Sequence, residues 1–251
     1  MKTRLDKLLV DRGLTPSRER AQALILAGNV LVNGQKVEKA GTSIDSDAAI
    51  RLLGGDLRYV SRGGLKLEKA LEHWRIDLNG KLCLDVGAST GGFSDCMLQH
   101  GAAKVIAVDT GYGQMDFGLR NHPRLRLLEK TNARYLTSED IGDHEIHFVA
   151  MDVSFISATL VLPAVVRAVL GAGNSCEVVV LVKPQFEVGR ELVGKGGIVR
   201  DQTAQQSAVK KVEAALVELG GTNLECIESP ILGGEGNREF LLHAVLSCGR
   251  Q

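Results

Sequence analysis

The sequence predicts a two-domain α/β protein in which a small N-terminal domain precedes a larger domain built around an open parallel sheet. Three observations predict it: 251 residues are long for one compact domain, the first part has the pattern helix, helix, hairpin, and the remainder alternates buried-strand runs with helical patterns. We expect the domains at residues 1–51 and 62–251. The linker is expected at residues 52–61, where Gly54-Gly55 interrupts the periodicity.

Composition and charge describe an ordinary globular chain with a basic front end. Hydrophobic residues make up 44% and charged residues 24%, and the formal net charge is zero. Residues 1–75 nevertheless hold 14 Lys and Arg against 9 Asp and Glu, and residues 76–251 hold 16 against 21. A basic segment on an acidic body suggests a polyanion-binding module attached to a second function.

Several classes of protein are excluded by the sequence. No run approaches the roughly 18 apolar residues of a membrane span, since Pro163 and Arg167 interrupt the most apolar segment, Ala158 to Ala172. The N-terminus has no apolar signal core. The five cysteines are scattered, and neither cysteines nor histidines show metal-ligand spacing. We therefore expect a cytoplasmic protein without membrane segment, disulfide framework or metal. The sequence does not settle the oligomeric state, and a monomer is favoured.

The N-terminal domain shows two helical patterns and a hairpin signal. Leucines at helical spacing predict a helix over residues 3–13, and Thr15-Pro16 indicates the N-cap and first position of a helix over Ser17–Ala27. Asn33-Gly34 stands between two strand-like runs. This order resembles the S4-type RNA-binding domain, which implies docking on structured RNA.

The candidate RNA-binding residues are cations of this domain and one at the start of the next: Arg4, Lys7, Arg18, Arg20, Lys36 and Arg62. The alternative is a small helical domain whose charges are merely solvated. The order of the elements and the positive surplus favour RNA binding.

A glycine-rich turn follows the first strand pattern of the larger domain. The run Lys81–Val86 leads into Gly87–Phe93, and a helix begins near Ser94. The next strand pattern, Lys104–Val108, ends in Asp109, about 20 residues after the loop, where an acid suits ribose hydroxyls. The spacing alone fits a dinucleotide as well as S-adenosylmethionine. The dinucleotide fingerprint G-x-G-x-x-G is absent, and no hydride-transfer site is evident.

The run from Asp85 to Phe93 resembles the first motif of class I methyltransferases in its FtsJ-like form. The resemblance implies a Rossmann-like sheet and S-adenosyl-L-methionine as cofactor, with Asn132, after the third strand, beside the adenine. The candidate cofactor-binding residues are Asp85, Gly87, Ala88, Ser89, Gly91, Gly92, Phe93 and Asp109, from the motif and its spacing, and Asn132, which the resemblance alone implies.

A second glycine motif, Gly189 to Lys195, spells G-x-x-x-x-G-K. Gly196 replaces the Ser or Thr that would hold magnesium, and the next helix starts only near Gln202, so a phosphate-binding P-loop is not expected. A basic glycine loop over the substrate or a plain surface loop remain as interpretations.

Four charged residues stand where strands or helices meet the sheet edge. Asp152 and Lys183 follow strand patterns, and Glu239 would lie at the same edge if its strand runs antiparallel. Lys66 occupies the first turn of the helix that enters the larger domain. We expect Lys183 to take the proton of an attacking hydroxyl, Lys66 to support the developing oxyanion and a phosphate, and the two acids to orient the ammonium groups.

These four residues resemble the Lys-Asp-Lys-Glu tetrad of FtsJ-like ribose 2′-O-methyltransferases. Together with the RNA-binding front end, the chain resembles the TlyA family, often labelled hemolysin A, over about residues 2–246. The resemblance implies methylation of a cytidine ribose in ribosomal RNA, free or within a ribosomal subunit.

Three rival functions remain open at this stage. The first is a non-catalytic RNA-binding or ribosome assembly factor, because each strand-end charge alone is more often a cap or a solvated residue. The second is a membrane-lytic protein, which the hemolysin label suggests and the lack of a long apolar or strongly amphipathic helix disfavours. The third is a small-molecule methyltransferase, which would leave the basic front end unexplained.

Overall fold

The computed structural model describes residues 2–15, 17–26, 28–52, 58–142, 145–170, 175–233 and 236–247. The chain divides into two compact units, Met1–Leu57 and Arg58–Gln251.

The predicted linker, 52–61, is shorter in the structure than in the sequence analysis. Leu52 pairs with Val30 in a sheet of the first unit, and Tyr59 is buried in an apolar cluster of the second. Both are apolar side chains that burial stabilises, which the glycine-rich composition around them conceals. The centre of the predicted linker, residues 53–57, lies outside the described residues.

The first unit contains two helices and five short strands. Its sheets have the orders β3-β2-β5 and β1-β4, all antiparallel. The elements are β1 (Lys2–Arg4), α1 (Leu5–Asp11), α2 (Arg18–Leu26), β2 (Val30–Val32), β3 (Gln35–Lys36), β4 (Ser43–Asp45) and β5 (Ile50–Leu52).

The helix, helix, hairpin order of the first unit is confirmed, with one local difference at the start of α2. Asn33 and Gly34 both have positive φ, 51° and 81°, as the two-residue turn between β2 and β3 requires. Helix α2 is capped by Ser17, whose Oγ accepts from the backbone N–H of Arg20, and not by Thr15 as predicted. Pro16, predicted at the first helical position, lies outside the described residues, as does Ala27.

The second unit is an α/β domain with seven α-helices and seven strands among its described residues, besides three short 3-10 helices. In chain order they are α3 (Gly63–Trp74), β6 (Leu82–Val86), α4 (Gly92–Gln99), β7 (Lys104–Val108), α5 (Phe117–Arg120), β8 (Leu125–Leu128), α6 (Ser138–Ile141), β9 (Phe148–Met151), α7 (Leu162–Val169), β10 (Ser175–Val182), α8 (Pro184–Glu187), α9 (Gln202–Glu218), β11 (Gly221–Glu228) and β12 (Phe240–Ser247).

These strands form one seven-stranded sheet in the order β11-β12-β10-β9-β6-β7-β8, which confirms the Rossmann-like prediction. Strands β6 to β10 pair in parallel, whereas β12 is antiparallel to both neighbours. Apolar side chains fill both faces of the sheet. Helices α3 and α4 contribute to the cluster on one face, and α7 and α9 to the cluster on the other.

The strand register brings the site to one edge of this sheet. Val86 pairs with Val108 on one side and Met151 on the other, so the residues that follow these three strands emerge side by side. Val182, the last residue of β10, pairs with Phe240, the first of β12. Glu239 was expected at this edge only if its strand runs antiparallel. Strand β12 does so, and it begins where the parallel strands end.

Candidate active site

The glycine loop after β6 is built for close backbone approach. Gly87 has φ 88°, and a Cβ there would lie 2.5 Å from the carbonyl oxygen of Asp152. A Cβ on Gly92 would lie 2.2 Å from Oγ of Ser61, where the chain enters the unit. Gly91, with φ 94°, packs against Met115 in the same way. Side chains larger than hydrogen would therefore push the loop away from its neighbours.

Asp109 holds the glycine loop in place from the end of β7. Its two carboxylate oxygens accept from the backbone N–H groups of Ser89, at 2.7 Å, and Gly111, at 2.6 Å. Both Asp109 and Asn132 line a cavity of about 480 Å³ that opens at the carboxyl edge of the sheet. Asn132 also caps a short turn by accepting from the N–H of Arg134 at 3.1 Å.

A second cavity, of about 250 Å³, adjoins the first and has Gly87, Ser89 and Asp152 in common with it. Lys66 and Arg62 line its far side. Seven of the nine predicted cofactor residues line one or both cavities: Gly87, Ala88, Ser89, Gly92, Phe93, Asp109 and Asn132.

Asp85 and Gly91 line neither cavity, which differs from the prediction for them. The Asp85 carboxylate is fully buried below the loop, where one oxygen accepts from Oγ of Ser94 at 2.6 Å. The other oxygen has no hydrogen-bond partner among the described residues. Burial raises the pKa of Asp85 to about 7, against a hydrogen bond from Ser94 that lowers it. Asp85 therefore supports the turn from within.

The four charged residues of the predicted tetrad form two ion pairs. Lys66 Nζ lies 2.5 Å from Glu239, and both side chains are buried, with exposed fractions of 10% and 3%. Lys183 Nζ lies 2.5 Å from Asp152 and donates to Oγ of Ser154 at 2.7 Å. A Cβ on Gly233 would lie 2.4 Å from the Glu239 carboxylate, so a glycine is needed beside it.

A third cavity, of about 300 Å³, is lined by Lys183 and Glu239 and by the rings of Phe155 and Phe186. It has Ser154 and Phe155 in common with the 480 Å³ cavity. The Lys183–Asp152 pair therefore stands where a cofactor-sized cavity meets a second cavity of nucleoside dimensions. Such a juncture allows a group to pass from a bound donor to a bound acceptor.

The glycine run after α8 contributes to a wall of the third cavity. Gly194 and Ile198 form a backbone bridge, and Val193 and Gly197 line the cavity. The run does not lead directly into a helix, since α9 begins only at Gln202. We refer to residues 193–199 as the glycine hairpin.

Asn237 anchors this hairpin and was not singled out as a site residue by the sequence analysis. Its side chain is 1% exposed, accepts from the N–H of Val199 at 2.9 Å and donates to the carbonyl of Gly197 at 2.8 Å. Asn237 lies two residues before Glu239 and so joins the hairpin to the buried ion pair. The only sequence signal is a small amide next to a strand start.

Glu187 anchors the loop after β9, as Asn237 anchors the glycine hairpin. Its buried carboxylate accepts from Oγ of Ser157 at 2.5 Å and from the N–H of Ala158 at 2.6 Å, and it pairs with Lys211 at 3.2 Å. This network holds the end of the segment that starts with Asp152. The sequence signal is an acid that stands one helical turn after Lys183.

The predicted RNA-binding cations of the first unit gather in part around one buried acid. Asp6 is fully buried and accepts from Arg4, at 2.9 and 3.0 Å, and from Arg18, at 3.1 Å. The hydrogen bond from Arg4 is the main cause of a strongly lowered pKa of Asp6. The two guanidinium groups remain half exposed, at 54% and 52%.

The remaining candidate cations are placed separately. Lys7 is exposed, Arg20 is half-buried, and Lys36 pairs with Glu38 at 3.1 Å. Arg62 belongs to the second unit and lines the 250 Å³ cavity. Within the described ranges, no group of three or more His, Cys, Asp or Glu could hold a metal ion, and no helix is long and apolar enough to cross a membrane.

Comparisons with known proteins agree with this architecture. Residues 59–245 match the family described as FtsJ-like methyltransferase, and residues 3–50 match the S4 domain. A solved structure of a protein described as a hemolysin from Streptococcus thermophilus superposes with a TM-score of 0.76 at 44% identity, covering 100% of this chain and 90% of that one.

Two named relatives cover nearly the whole chain. The 16S/23S rRNA (cytidine-2′-O)-methyltransferase TlyA of Mycobacterium tuberculosis is 45% identical over 96% of this chain and 89% of its own. Hemolysin A of Brachyspira hyodysenteriae is 41% identical over 97% of this chain and 100% of its own. The chain therefore belongs to the family of proteins named TlyA and hemolysin A, in which an S4 domain precedes an FtsJ-like methyltransferase domain.

Proposed function

We propose that this protein methylates the 2′-hydroxyl of a cytidine ribose in ribosomal RNA with S-adenosyl-L-methionine as methyl donor. The observation that carries the proposal is the Lys183–Asp152 ion pair, at 2.5 Å, where the 480 Å³ and 300 Å³ cavities meet. A general base at that point is within reach of a hydroxyl and a donor held in two separate cavities.

The residues around the first two cavities fit the methyl donor. Asp109 and Asn132 offer polar side chains to ribose hydroxyls and an adenine, and the bare backbone at Gly87 leaves room for the sulfonium end. When bound, the cofactor supplies a methyl group on a positively charged sulfur. Asp152, which lines both cavities, places negative charge near that sulfur.

The third cavity fits the accepting nucleotide. Phe155 is 92% exposed, and its backbone has φ 64°, a conformation that costs energy for a bulky side chain and is found most often at functional sites. Its ring centroid lies 5.3 Å from that of Phe186. The pair offers an aromatic face on which a base drawn out of the RNA can stack while its ribose faces Lys183.

The proton of the ribose hydroxyl passes to Lys183. Lys183 first gives the proton of its ammonium group to solvent; as the oxygen–carbon bond forms and the carbon–sulfur bond breaks, its free amine takes the hydroxyl proton, and Asp152 and Ser154 hold the resulting ammonium. Lys66, paired with Glu239, keeps a positive charge beside the oxygen that transiently becomes anionic. Loss of the methyl group would turn the positively charged sulfonium donor into a neutral thioether while Lys183 gains one positive charge, so charge and atoms balance.

The S4 domain provides the reason to choose RNA over a small molecule. Arg4 and Arg18 are held by Asp6 with half of each side chain exposed, in the manner of cations that contact phosphates. The relative named above as a cytidine methyltransferase of ribosomal RNA is 45% identical to this chain over 96% of its length. A small-molecule methyltransferase would leave these arginines without a partner.

The test is a map of ribose methylation across ribosomal RNA from cells with and without the gene. We expect one or more cytidines to lose their 2′-O-methyl group when the gene is deleted, and to regain it with the wild-type gene or with Lys210→Ala, a substitution of an exposed residue on α9. Complementation with Lys183→Ala should leave them unmethylated. A map that does not change on deletion would falsify the substrate assignment.

A further inference from the structure

The exposed aromatic side chains of the described residues all lie at one edge of the sheet. Tyr112, Phe117 and Tyr135 are 69%, 75% and 70% exposed, and Phe155 is the fourth. Tyr112 and Phe117 follow β7, Tyr135 follows β8, and Phe155 follows β9. All four therefore come after the carboxyl ends of strands, on the same side as the cofactor cavity. Aromatic residues are only 4% of this chain, so leaving four of them in solvent at one place is a costly arrangement that calls for a ligand.

Tyr112 is held in position between two cations. Lys130 Nζ lies 4.6 Å and the Arg120 guanidinium 5.9 Å from the centre of its ring. Glu129 pairs with Arg120 and accepts from the N–H of Gly113 at 2.6 Å, which ties the loop of Tyr112 to the end of β8. The ring therefore has a fixed place before any ligand arrives.

Tyr135 repeats this pairing of ring and cation one loop further along. The Arg134 guanidinium lies 5.8 Å from the centre of its ring, in the turn that Asn132 caps. In the part of the chain that the structure describes, neither Arg134 nor Lys130 has a carboxylate within 4.0 Å. Their positive charge is available to a partner.

We infer that these loops form a second RNA-binding surface, which holds unpaired nucleotides next to the target nucleotide. The inference rests on the proposed function and deepens it. Exposed rings accept bases by stacking, and the adjacent cations accept the phosphates between them, a combination that suits single-stranded or looped RNA. We call it the edge surface, and it consists of Tyr112, Phe117, Lys130, Arg134 and Tyr135.

The position of the edge surface supports RNA over a protein partner. The loops that carry Tyr112 and Tyr135 also supply Gly111, Thr131 and Asn132 to the wall of the cofactor cavity. RNA whose target ribose lies in the 300 Å³ cavity has this edge close by, because that cavity and the cofactor cavity meet at Phe155. Each base that stacks on an exposed ring contributes affinity without requiring a particular sequence.

The test compares two double variants with matched controls in the full-length protein. Tyr112→Ala/Tyr135→Ala removes the rings, and Lys130→Ala/Arg134→Ala removes the charges. The controls are Val217→Ala, an exposed apolar residue of α9, and Lys210→Ala/Arg167→Ala, two exposed cations on helices α9 and α7. Each protein is titrated with deproteinised ribosomal RNA at several salt concentrations, and calorimetry measures its affinity for S-adenosylmethionine.

We expect the ring variant to bind RNA about tenfold or more weakly, with little change in salt dependence. The charge variant should reduce the slope of log affinity against log salt by about 1 to 2. Both variants should bind S-adenosylmethionine like the wild type, keep the wild-type rate at saturating RNA, and cross-link to RNA less through this edge under ultraviolet light.

Two results would overturn the inference, and each is separable from the proposed function. RNA affinity equal to the controls, in a wild-type protein that does methylate ribosomal RNA, removes the edge surface and leaves the proposed function in place. A loss of S-adenosylmethionine affinity without a loss of RNA affinity assigns these residues to the cofactor. If the wild type binds RNA through this edge yet methylates none of it, the proposed function fails and the edge surface remains.

Discussion

The two units of the protein hold cations against buried carboxylates in opposite ways. In the first unit Asp6 is buried, but its partners Arg4 and Arg18 are half exposed. In the second unit both members of the Lys66–Glu239 pair are buried. The first arrangement leaves positive charge accessible to solvent, whereas the second encloses charge beside the cavities that we propose bind the two substrates.

The two clusters also differ in how far apart their members lie in the sequence. The partners of Asp6 include Gln22, at 2.9 Å, and none of them is more than 16 residues away. Lys66 and Glu239 are 173 residues apart and meet only because α3 and the start of β12 reach the same sheet edge. A local cluster needs one short segment to fold, whereas the enclosed pair needs the whole sheet in register.

The enclosed pair provides the first and largest prediction. Glu239→Gln alone should destabilise the protein by about 3 to 5 kcal/mol, because it leaves the Lys66 ammonium buried without a counter-charge. The double variant Lys66→Met/Glu239→Gln should recover most of that loss in urea unfolding and still transfer no methyl groups. Equal stability of the single and double variants would contradict the enclosed-pair interpretation.

The glycine hairpin tests whether activity also requires the backbone beside the third cavity to be fixed in position. Asn237→Ala should lower kcat/KM for RNA about a hundredfold, since displacement of a positioned wall by about 1 Å can cost that much. Affinity for S-adenosylmethionine, measured by calorimetry, should remain that of the wild type. Asn79→Ala, at an exposed position, is the matched control. Equal loss of cofactor binding in Asn237→Ala would show general misfolding and not a shifted wall.

Asp85, unlike Asp6 and Glu239, is a buried carboxylate with no cationic partner among the described residues. Its protonation should therefore make the stability of the second unit depend on pH. Its folded-state pKa of about 7 lies above the ordinary value of 3.8, so the folded protein binds a proton that the unfolded chain releases. Stability from this group is fully present below about pH 4 and declines as pH rises to about 7. The decline should amount to about 4 kcal/mol, since each pKa unit corresponds to about 1.4 kcal/mol.

Asp85→Asn should therefore flatten the stability profile between pH 4 and 8 in denaturant unfolding, because an amide carries no charge at either pH. The variant should gain relative to the wild type at pH 8 and not at pH 4. A wild-type profile that rises with pH over this interval, unchanged in the variant, would show that Asp85 is charged in the folded protein.

Substitution of Asp6 gives the smallest expected change in this series, but the direction of the change in RNA affinity separates two explanations. Asp6→Asn removes a negative charge from an RNA-binding unit, which by charge alone should strengthen binding. We expect RNA affinity to fall instead, by about threefold to tenfold, because Arg4 and Arg18 lose the acceptor that orients them. Circular dichroism controls for folding. An increase in affinity would show that these arginines need no anchor.

Much of the sheet and of the site could be predicted because their signals are local. Asp152 and Lys183 each follow a run of buried-strand residues directly, and the loop at Gly87 follows another. Strand β11, by contrast, gave no clear pattern, because it is an edge strand with mostly exposed or half-buried residues and an irregular register. Strands β1, β4 and β5 are three residues long, too short for alternation to show.

The parts of the site that escaped prediction depend on contacts across the fold. Asn237 bonds to Gly197, 40 residues earlier, and nothing in either segment indicates the pairing. The rings of Tyr112 and Tyr135 stand in a chain whose few aromatic residues are expected in the core. Only the coordinates show that they are exposed beside the cofactor cavity.

Single-turnover methyl transfer by Lys183→Ala tests the central claim most directly. Enzyme preloaded with S-adenosylmethionine is mixed with saturating ribosomal RNA, and the transferred methyl group is counted over time. We expect the rate to fall by about 10²- to 10⁴-fold with unchanged affinity for both ligands, because a general base is lost while both cavities remain. A rate within a few-fold of the wild type would contradict the assignment of Lys183 as the group that takes the ribose proton.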